Sequence, residues 1–141
     1  MLADGRVRTY RNNAVLTASP GQLVLMLYDG ALKALALARE GFAEPETNFR
    51  RIATINQQLQ KAQAIFSELQ GGLNHQAGGE FARRMESLYD YFNQRLFEAN
   101  LHKSEEPVIE VERLARELRD AWSQMLVQGC EQPAEGLRVV A

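Results

Sequence analysis

Several residue types that mark particular protein classes are scarce in this sequence of 141 residues. Cys130 is the only cysteine, so no disulfide can form within the chain, and no basic segment followed by an apolar core suggests a secretory leader. The net charge of −2 gives no excess of positive charge for capturing a phosphate backbone. These absences predict a protein of the reducing cytoplasm that does not bind nucleic acid.

The groups on which enzymes and metal sites depend are also missing. Di-iron helical bundles use Glu-x-x-His motifs, and neither His75 nor His102 lies three residues after a glutamate. Cys130 has no histidine nearby to activate its thiol, and the glycine pairs that begin at residues 71 and 78 do not match a phosphate loop. We therefore predict no catalytic residue, no cofactor and no metal, and hence no enzyme.

Apolar residues at helical spacing are abundant instead, and three segments each carry one apolar stripe in steps of three and four residues. The stripes are Ile52, Ile55, Leu59, Ala62, Phe66, Leu69 and Leu73; then Phe81, Met85, Leu88, Phe92, Leu96 and Ala99; then Val108, Val111, Ala115, Leu118, Trp122 and Met125. A fourth helix precedes them, and the breaks at 41–48, 71–79 and 104–107 are short. The pattern predicts an all-α fold, an antiparallel up-down four-helix bundle.

The first helix has a well-defined start in the stretch TASPGQLVLMLYDGALKALALA. Ser19 is suited to the N-cap, Pro20 to the first helical position, and Gln22 completes a capping box. The apolar run that follows is shorter than the roughly 20 residues that a bilayer needs. Asp29 and Lys33 interrupt it and are spaced to pair across one helical turn. We expect a buried helix of a soluble protein and no membrane partner.

This first helix carries two apolar stripes where a simple bundle needs one. One is Val24, Leu27, Ala31, Ala34 and Ala38, and the other is Leu25, Tyr28, Leu32 and Leu35. Two interpretations stay open: the second stripe packs on another helix of the same domain, or a removable element covers it. That element would be a partner or the chain's own first residues. The corresponding domain boundaries are an N-terminal capping segment at 1–18, the bundle at 19–129 and a flexible tail at 130–141.

Six separated motifs stand in one order along the chain: Y-x-x-N-x-V-x-T-A-S-P-G from Tyr10, MLYDGAL, KAQ, GGE, LYDYFNQRLFEAN and EVERLARELRDAW. Together they resemble the FliS family of flagellar export chaperones, over a stretch from about Tyr10 to Trp122. The resemblance implies a cytoplasmic bundle that binds the C-terminal region of flagellin and prevents its polymerisation before type III export. It also implies a protein without enzymatic activity, with FliW and the flagellar export gate as further partners to consider.

The resemblance further implies that the segment before the first helix folds over the flagellin-binding surface. Combining this with the stripes, we expect partner contacts from Tyr10, Val15, Leu16, Leu25, Tyr28, Leu32, Ile55, Leu59, Ala62, Leu118 and Trp122. Gly30 would either allow close helix packing or admit a partner's side chain. The two tyrosines of the repeated LYD motif are expected to find polar partners on other helices. The alternative function is a homodimeric structural protein without chaperone activity, in which the surplus stripe packs against its own copy.

Overall fold

The computed structural model describes residues 18–129, which form four α-helices and no strand. They are α1 (Pro20–Ala43), α2 (Arg51–Gly71), α3 (His75–His102) and α4 (Glu106–Val127). Helices α1 and α3 each pack against both α2 and α4, and the chain alternates in direction from one helix to the next. The prediction of an all-α, antiparallel four-helix bundle is confirmed for this part of the chain. The predicted N-terminal capping segment and C-terminal tail lie outside the described residues, apart from Ala18.

The start of α1 follows from its local sequence. The Gln22 amide N–H donates to Ser19 Oγ at 3.2 Å, and the Ser19 N–H donates to Gln22 Oε1 at 3.0 Å, with Pro20 in the first turn. These reciprocal bonds satisfy two backbone donors that no intrahelical carbonyl can reach. The predicted capping box is confirmed.

The glycine-rich break at 71–79 is shorter than the sequence suggests. Gly71 is the last residue of α2, and α3 already begins at His75, because Asn74 Oδ1 accepts hydrogen bonds from the next free backbone N–H groups. The chain still bends at Gly79, inside α3. Its φ of 53° is a left-handed backbone conformation that is strained for residues with a side chain. Three residues thus connect α2 to α3, and the first turn of α3 is set at an angle to the rest.

The predicted stripes form one shared core. Its fully buried large side chains are Leu35, Ile55, Leu59, Phe66, Tyr89, Phe92, Leu96, Val108 and Val111. From the second stripe of α1, Tyr28, Leu32 and Leu35 are buried as well, and only Leu25 is partly exposed. Because α1 lies between α2 and α4, it needs an apolar side for each of them. Of the two interpretations of this stripe, packing within the domain holds for these three residues.

Two tyrosine hydroxyls meet in the middle of this core. Tyr28 of α1 and Tyr89 of α3 are both buried, and their oxygens lie 2.6 Å apart in a hydrogen bond across the diagonal of the bundle. Burial raises the pKa of Tyr28 to about 12 and also raises the pKa of Tyr89, because a phenolate would be poorly solvated there. Each LYD tyrosine therefore has its polar partner on another helix, as predicted.

Charged side chains connect α1 to α4. Arg119 donates to Asp29 at 2.7 Å, and Arg39 donates to Glu112 at 2.7 Å and to Glu105 at 3.3 Å. The spacing of Asp29 and Lys33 predicted a pair between these two residues, but Asp29 pairs with Arg119 of α4 instead. These pairs are partly exposed and stabilise by little individually. They join α1 to α4 at two places, at Asp29 and at Arg39.

Replacing one of the paired core tyrosines leaves the other hydroxyl buried and unpaired. We predict that Tyr28→Phe lowers the free energy of unfolding by about 1 to 3 kcal/mol. Tyr89→Phe should act similarly, whereas the double variant should be much more stable than the sum of the two losses implies, since it leaves no hydroxyl stranded. Urea denaturation of the four proteins measures the coupling. Strictly additive losses would show that the two hydroxyls do not depend on each other.

The raised pKa values predict a loss of stability in alkali. Between about pH 10 and 12 the unfolded state loses tyrosine protons that folded Tyr28 retains, so the unfolded state binds fewer protons and the free energy of unfolding falls with pH. The slope should reach about 1.4 kcal/mol per pH unit for each such tyrosine. Urea denaturation at several pH values measures it. The Tyr28→Phe/Tyr89→Phe variant should lose most of the slope. Tyr91→Phe should remove a smaller part of it, because the pKa of Tyr91 is raised mainly by a hydrogen bond to Glu110 at the surface.

Candidate functional site

Most predicted partner-binding residues that the structure describes lie inside the bundle. Six are buried: Tyr28, Leu32, Ile55, Leu59, Ala62 and Trp122. Leu25 and Leu118 are partly exposed and pack at the margin of the core. Tyr10, Val15 and Leu16 lie outside the described residues. Partner contact by this set stays a prediction, and for the six buried side chains it would require the helices to separate.

Trp122 has a structural contact that ties the last helix to the first. Its indole Nε1–H donates to the Gly21 carbonyl oxygen at 2.7 Å. Leu126 of the same helix also packs closely on Gly21, because Gly21 has no side chain: a Cβ there would lie 2.7 Å from Leu126 Cδ2. The contact holds the end of α4 against the first turn of α1, where the predicted capping segment joins the bundle.

Large apolar side chains are nevertheless exposed on the described helices and on the α1–α2 connector. They are Met26, Phe49, Ile52, Tyr91, Phe97, Leu101, Ile109 and Val127. Phe97 and Leu101 are one turn apart on α3, 59% and 64% exposed, and line a cavity of about 280 Å³ together with Asn100 and Lys103. Ile52 belongs to one of the apolar stripes predicted from the sequence. The other seven residues belong to none of these stripes. The sequence analysis therefore missed these positions, since it searched for residues that share a core face.

Polar side chains close the seams on both sides of α3. Between α3 and α4, Tyr91 and Arg95 both donate to Glu110 at 2.7 Å, which lowers the pKa of its carboxyl group. Between α2 and α3 the groups are mostly amides. Asn100 donates to Asn56 at 2.7 Å, and Gln70, Gln63 and Asn93 make further bonds along the same seam.

The seam between α1 and α2 is different. Among residues 18–129, the side-chain hydrogen bonds across this seam lie at its end, where Arg51 donates to the Glu44 carbonyl oxygen at 3.0 Å and to the Phe42 carbonyl oxygen at 3.5 Å. The rest of the seam is apolar and closely packed, and a Cβ on Gly41 would lie 3.1 Å from Ile55. On its outer side is a cavity of about 260 Å³, lined by Leu37, Thr54 and Gln58 together with the charged residues Glu40, Glu44, Arg50 and Arg51. We call this outer surface, from Gly30 and Ile65 to Leu37 and Gln58, the α1–α2 groove.

Chemical groups typical of catalysis do not converge on these surfaces. In the described part of the chain, no cluster of three or more His, Cys, Asp or Glu side chains could hold a metal ion. Helix α1 is long and apolar enough to span a membrane by length and composition, but 44% of its most apolar window is buried inside the bundle. The core helix of a soluble protein meets the same criterion. What these surfaces present is exposed apolar side chains and the α1–α2 groove.

The fold and these surfaces together define a helical-bundle binding protein. The family model described as flagellar protein FliS matches residues 3–129, so the chain belongs to the FliS family. It is 38% identical over 117 residues to the flagellar secretion chaperone FliS of Bacillus subtilis strain 168, covering 83% of both chains. It is also 38% identical over 114 residues to that of Salmonella typhimurium strain LT2, covering 80% of this chain and 81% of the relative. The resemblance seen in the sequence motifs is confirmed.

Proposed function

We propose that this protein is a cytoplasmic flagellar export chaperone that binds the C-terminal region of flagellin, prevents its premature polymerisation, and uses neither catalysis nor a cofactor. Membership of the FliS family supports the chaperone role, since the relatives are named flagellar secretion chaperones. FliW and the flagellar export gate are further partners within the same proposal.

The structural observation that carries the proposal is the exposed apolar surface. A bundle whose core is already filled still leaves Met26, Phe97 and Leu101 in contact with solvent, at 38%, 59% and 64% exposure. To prevent polymerisation, the chaperone must cover the apolar side chains of one disordered flagellin chain before that chain meets a second one. Exposed apolar positions on the bundle provide a surface for this. Coupled folding and binding of this kind buries on the order of 1,000 to 3,000 Å² and loses several kcal/mol to ordering.

A homodimer is the second candidate, because the same exposed side chains would serve an interface between two copies. Light scattering with and without a flagellin C-terminal peptide separates the two functions. A monomer that takes up one peptide supports the chaperone, whereas a dimer whose mass and shape do not respond to the peptide supports the structural protein.

The chaperone proposal predicts a stable complex that depends on the end of flagellin. Co-purification should recover intact flagellin with this protein. Flagellin lacking roughly its last 40 residues, the length an extended chain needs to pass around a small bundle, should be lost. A flagellin shortened by the same length in its central region is the matched control and should still bind. Equal recovery of all three flagellins would contradict the proposal.

The N-terminal segment, residues 1–17, should compete with flagellin for the flagellin-binding surface. Burying one large apolar side chain is worth roughly 1.5 to 3 kcal/mol, enough for Tyr10, Val15 and Leu16 to hold a closed state. If that state were about 99% populated, deleting residues 1–17 would strengthen flagellin binding about a hundredfold. Calorimetry measures the affinity, and circular dichroism checks that the shortened chain is folded. Weaker binding by a folded variant would instead make Tyr10 a direct contact.

A further inference from the structure

Lys103 stands at the end of α3 in a backbone conformation that lysine rarely adopts. Its φ of 50° and ψ of 49° are left-handed, and no other residue with a side chain has a positive φ among residues 18–129. Glycine, or sometimes asparagine, is the usual residue in a left-handed turn that ends a helix. A lysine is unfavourable for the backbone at this position, which directs attention to what its side chain does.

The Lys103 side chain turns back along α3 instead of extending into solvent. Its Nζ donates to the Asn100 carbonyl oxygen at 2.7 Å and also to Asn100 Oδ1. Asn100 is held in place in turn, because its Nδ2 donates to Asn56 Oδ1 of α2 at 2.7 Å. The folded α2–α3 seam therefore fixes the position of the Lys103 amine.

The hydrogen bonds of this amine satisfy its neutral form better than its charged form. An ammonium group has three N–H donors, whereas a neutral amine has two donors and a lone pair. The two Asn100 oxygens match the two donors of the neutral amine, and among residues 18–129 there is no third acceptor. The lone pair then points away from Asn100, and the side chain lines the cavity of about 280 Å³ beside Phe97 and Leu101.

The electrostatic surroundings of Lys103 favour the same form. Glu98 and Glu105, which flank it along the chain, pair with Arg95 and Arg39, and no carboxylate of the described residues pairs with Lys103 itself. Burial without such a partner lowers the pKa of the Lys103 amine. At neutral pH this amine is therefore deprotonated more often than that of an exposed lysine, and a deprotonated amine is a nucleophile.

We propose that Lys103 is an acylation site for a small apolar acyl group, activated as an acyl phosphate or a thioester. The Nζ lone pair attacks the acyl carbon, a C–N bond forms, and the bond from that carbon to the leaving oxygen or sulfur breaks. The leaving group departs with the electron pair and takes up one amine proton. The product amide keeps one N–H for Asn100, and the acyl chain lies against Phe97 and Leu101.

Acylation changes the surface around Lys103 in two ways. It removes a positive charge beside Phe97 and Leu101, which are 59% and 64% exposed. It also adds apolar atoms at the same place, so the exposed apolar surface becomes larger and less polar. Such a change strengthens the binding of an apolar partner at this surface. The assignment of Lys103 goes beyond the proposed function and does not depend on it.

The chain provides its own controls for a test, because Lys33 and Lys61 are its other lysines and both are exposed. The full-length protein is incubated with acetyl phosphate at neutral pH, and peptide mass spectrometry gives the acetylation rate of each lysine at low conversion. Lys103 should react at least about threefold faster than either control, because more of its amine is neutral. In urea that unfolds the chain, the three rates should become similar.

Two variants test the part played by Asn100. Asn100→Ala removes one of the two oxygens that hold the amine, so the rate at Lys103 should fall toward the rates of the control lysines. The matched variant is Asn93→Ala, which removes another amide of the α2–α3 seam, one that donates to Ser67, and should leave the Lys103 rate unchanged. Circular dichroism checks that both variants are folded.

Acetyl-CoA replaces acetyl phosphate in a parallel experiment, because a thioester carries the same electrophilic carbonyl group. Faster reaction at Lys103 with either donor supports the site, and the more effective donor identifies the acyl source. Equal rates at the three lysines of the folded protein would overturn the assignment. A preference for Lys103 that persists in urea would overturn it too, since local sequence would then be the cause. An unchanged Lys103 rate in folded Asn100→Ala would contradict the arrangement described here.

Discussion

The hydrogen bond between Tyr28 and Tyr89 is the interaction on which the arrangement of the bundle depends. Neighbouring helices are held together along their own seams, but α1 and α3 lie on a diagonal and meet only through the core. Apolar stripes by themselves tolerate a slide or rotation that keeps them facing inward. A buried hydroxyl pair does not, because any such shift leaves two polar groups in an apolar interior without partners. The pair thus selects one register from several that would bury similar apolar area.

Once that register is fixed, the four seams take on different characters. Ion pairs connect α1 to α4 and α3 to α4, and amides connect α2 to α3, so a guest that entered there would have to replace directional bonds. Along most of the α1–α2 seam only apolar contacts and close packing at Gly41 hold the helices. Away from the end held by Arg51, this seam has no side-chain hydrogen bond among the described residues that a partner on its outer surface would have to replace.

The sequence predicts those parts of the structure that depend on neighbours along the chain. The capping box of Ser19 and Gln22 is local, and the stripes follow from helical periodicity, so both could be predicted. Partners that meet through the tertiary register could not: Asp29 pairs with Arg119, ninety residues away, and not with nearby Lys33. The candidate site was the least predictable part. A stripe identifies an inward face, so the residues it selected for the partner surface include Ile55 and Leu59, which are buried, and exclude the exposed Phe97 and Leu101. Partner contact by the selected residues stays a prediction.

The bond from Trp122 to the Gly21 carbonyl oxygen gives the bundle a polarity. It brings the two ends of the described chain, Ala18 and Gly129, to one pole, together with the short connector between α2 and α3. The opposite pole carries the other two connectors, 44–50 and 103–105, with Phe97 and Leu101 near it on α3. A fluorophore attached at position 18 or 129 would therefore lie at the same pole, whereas one placed in the 44–50 connector would report on the other.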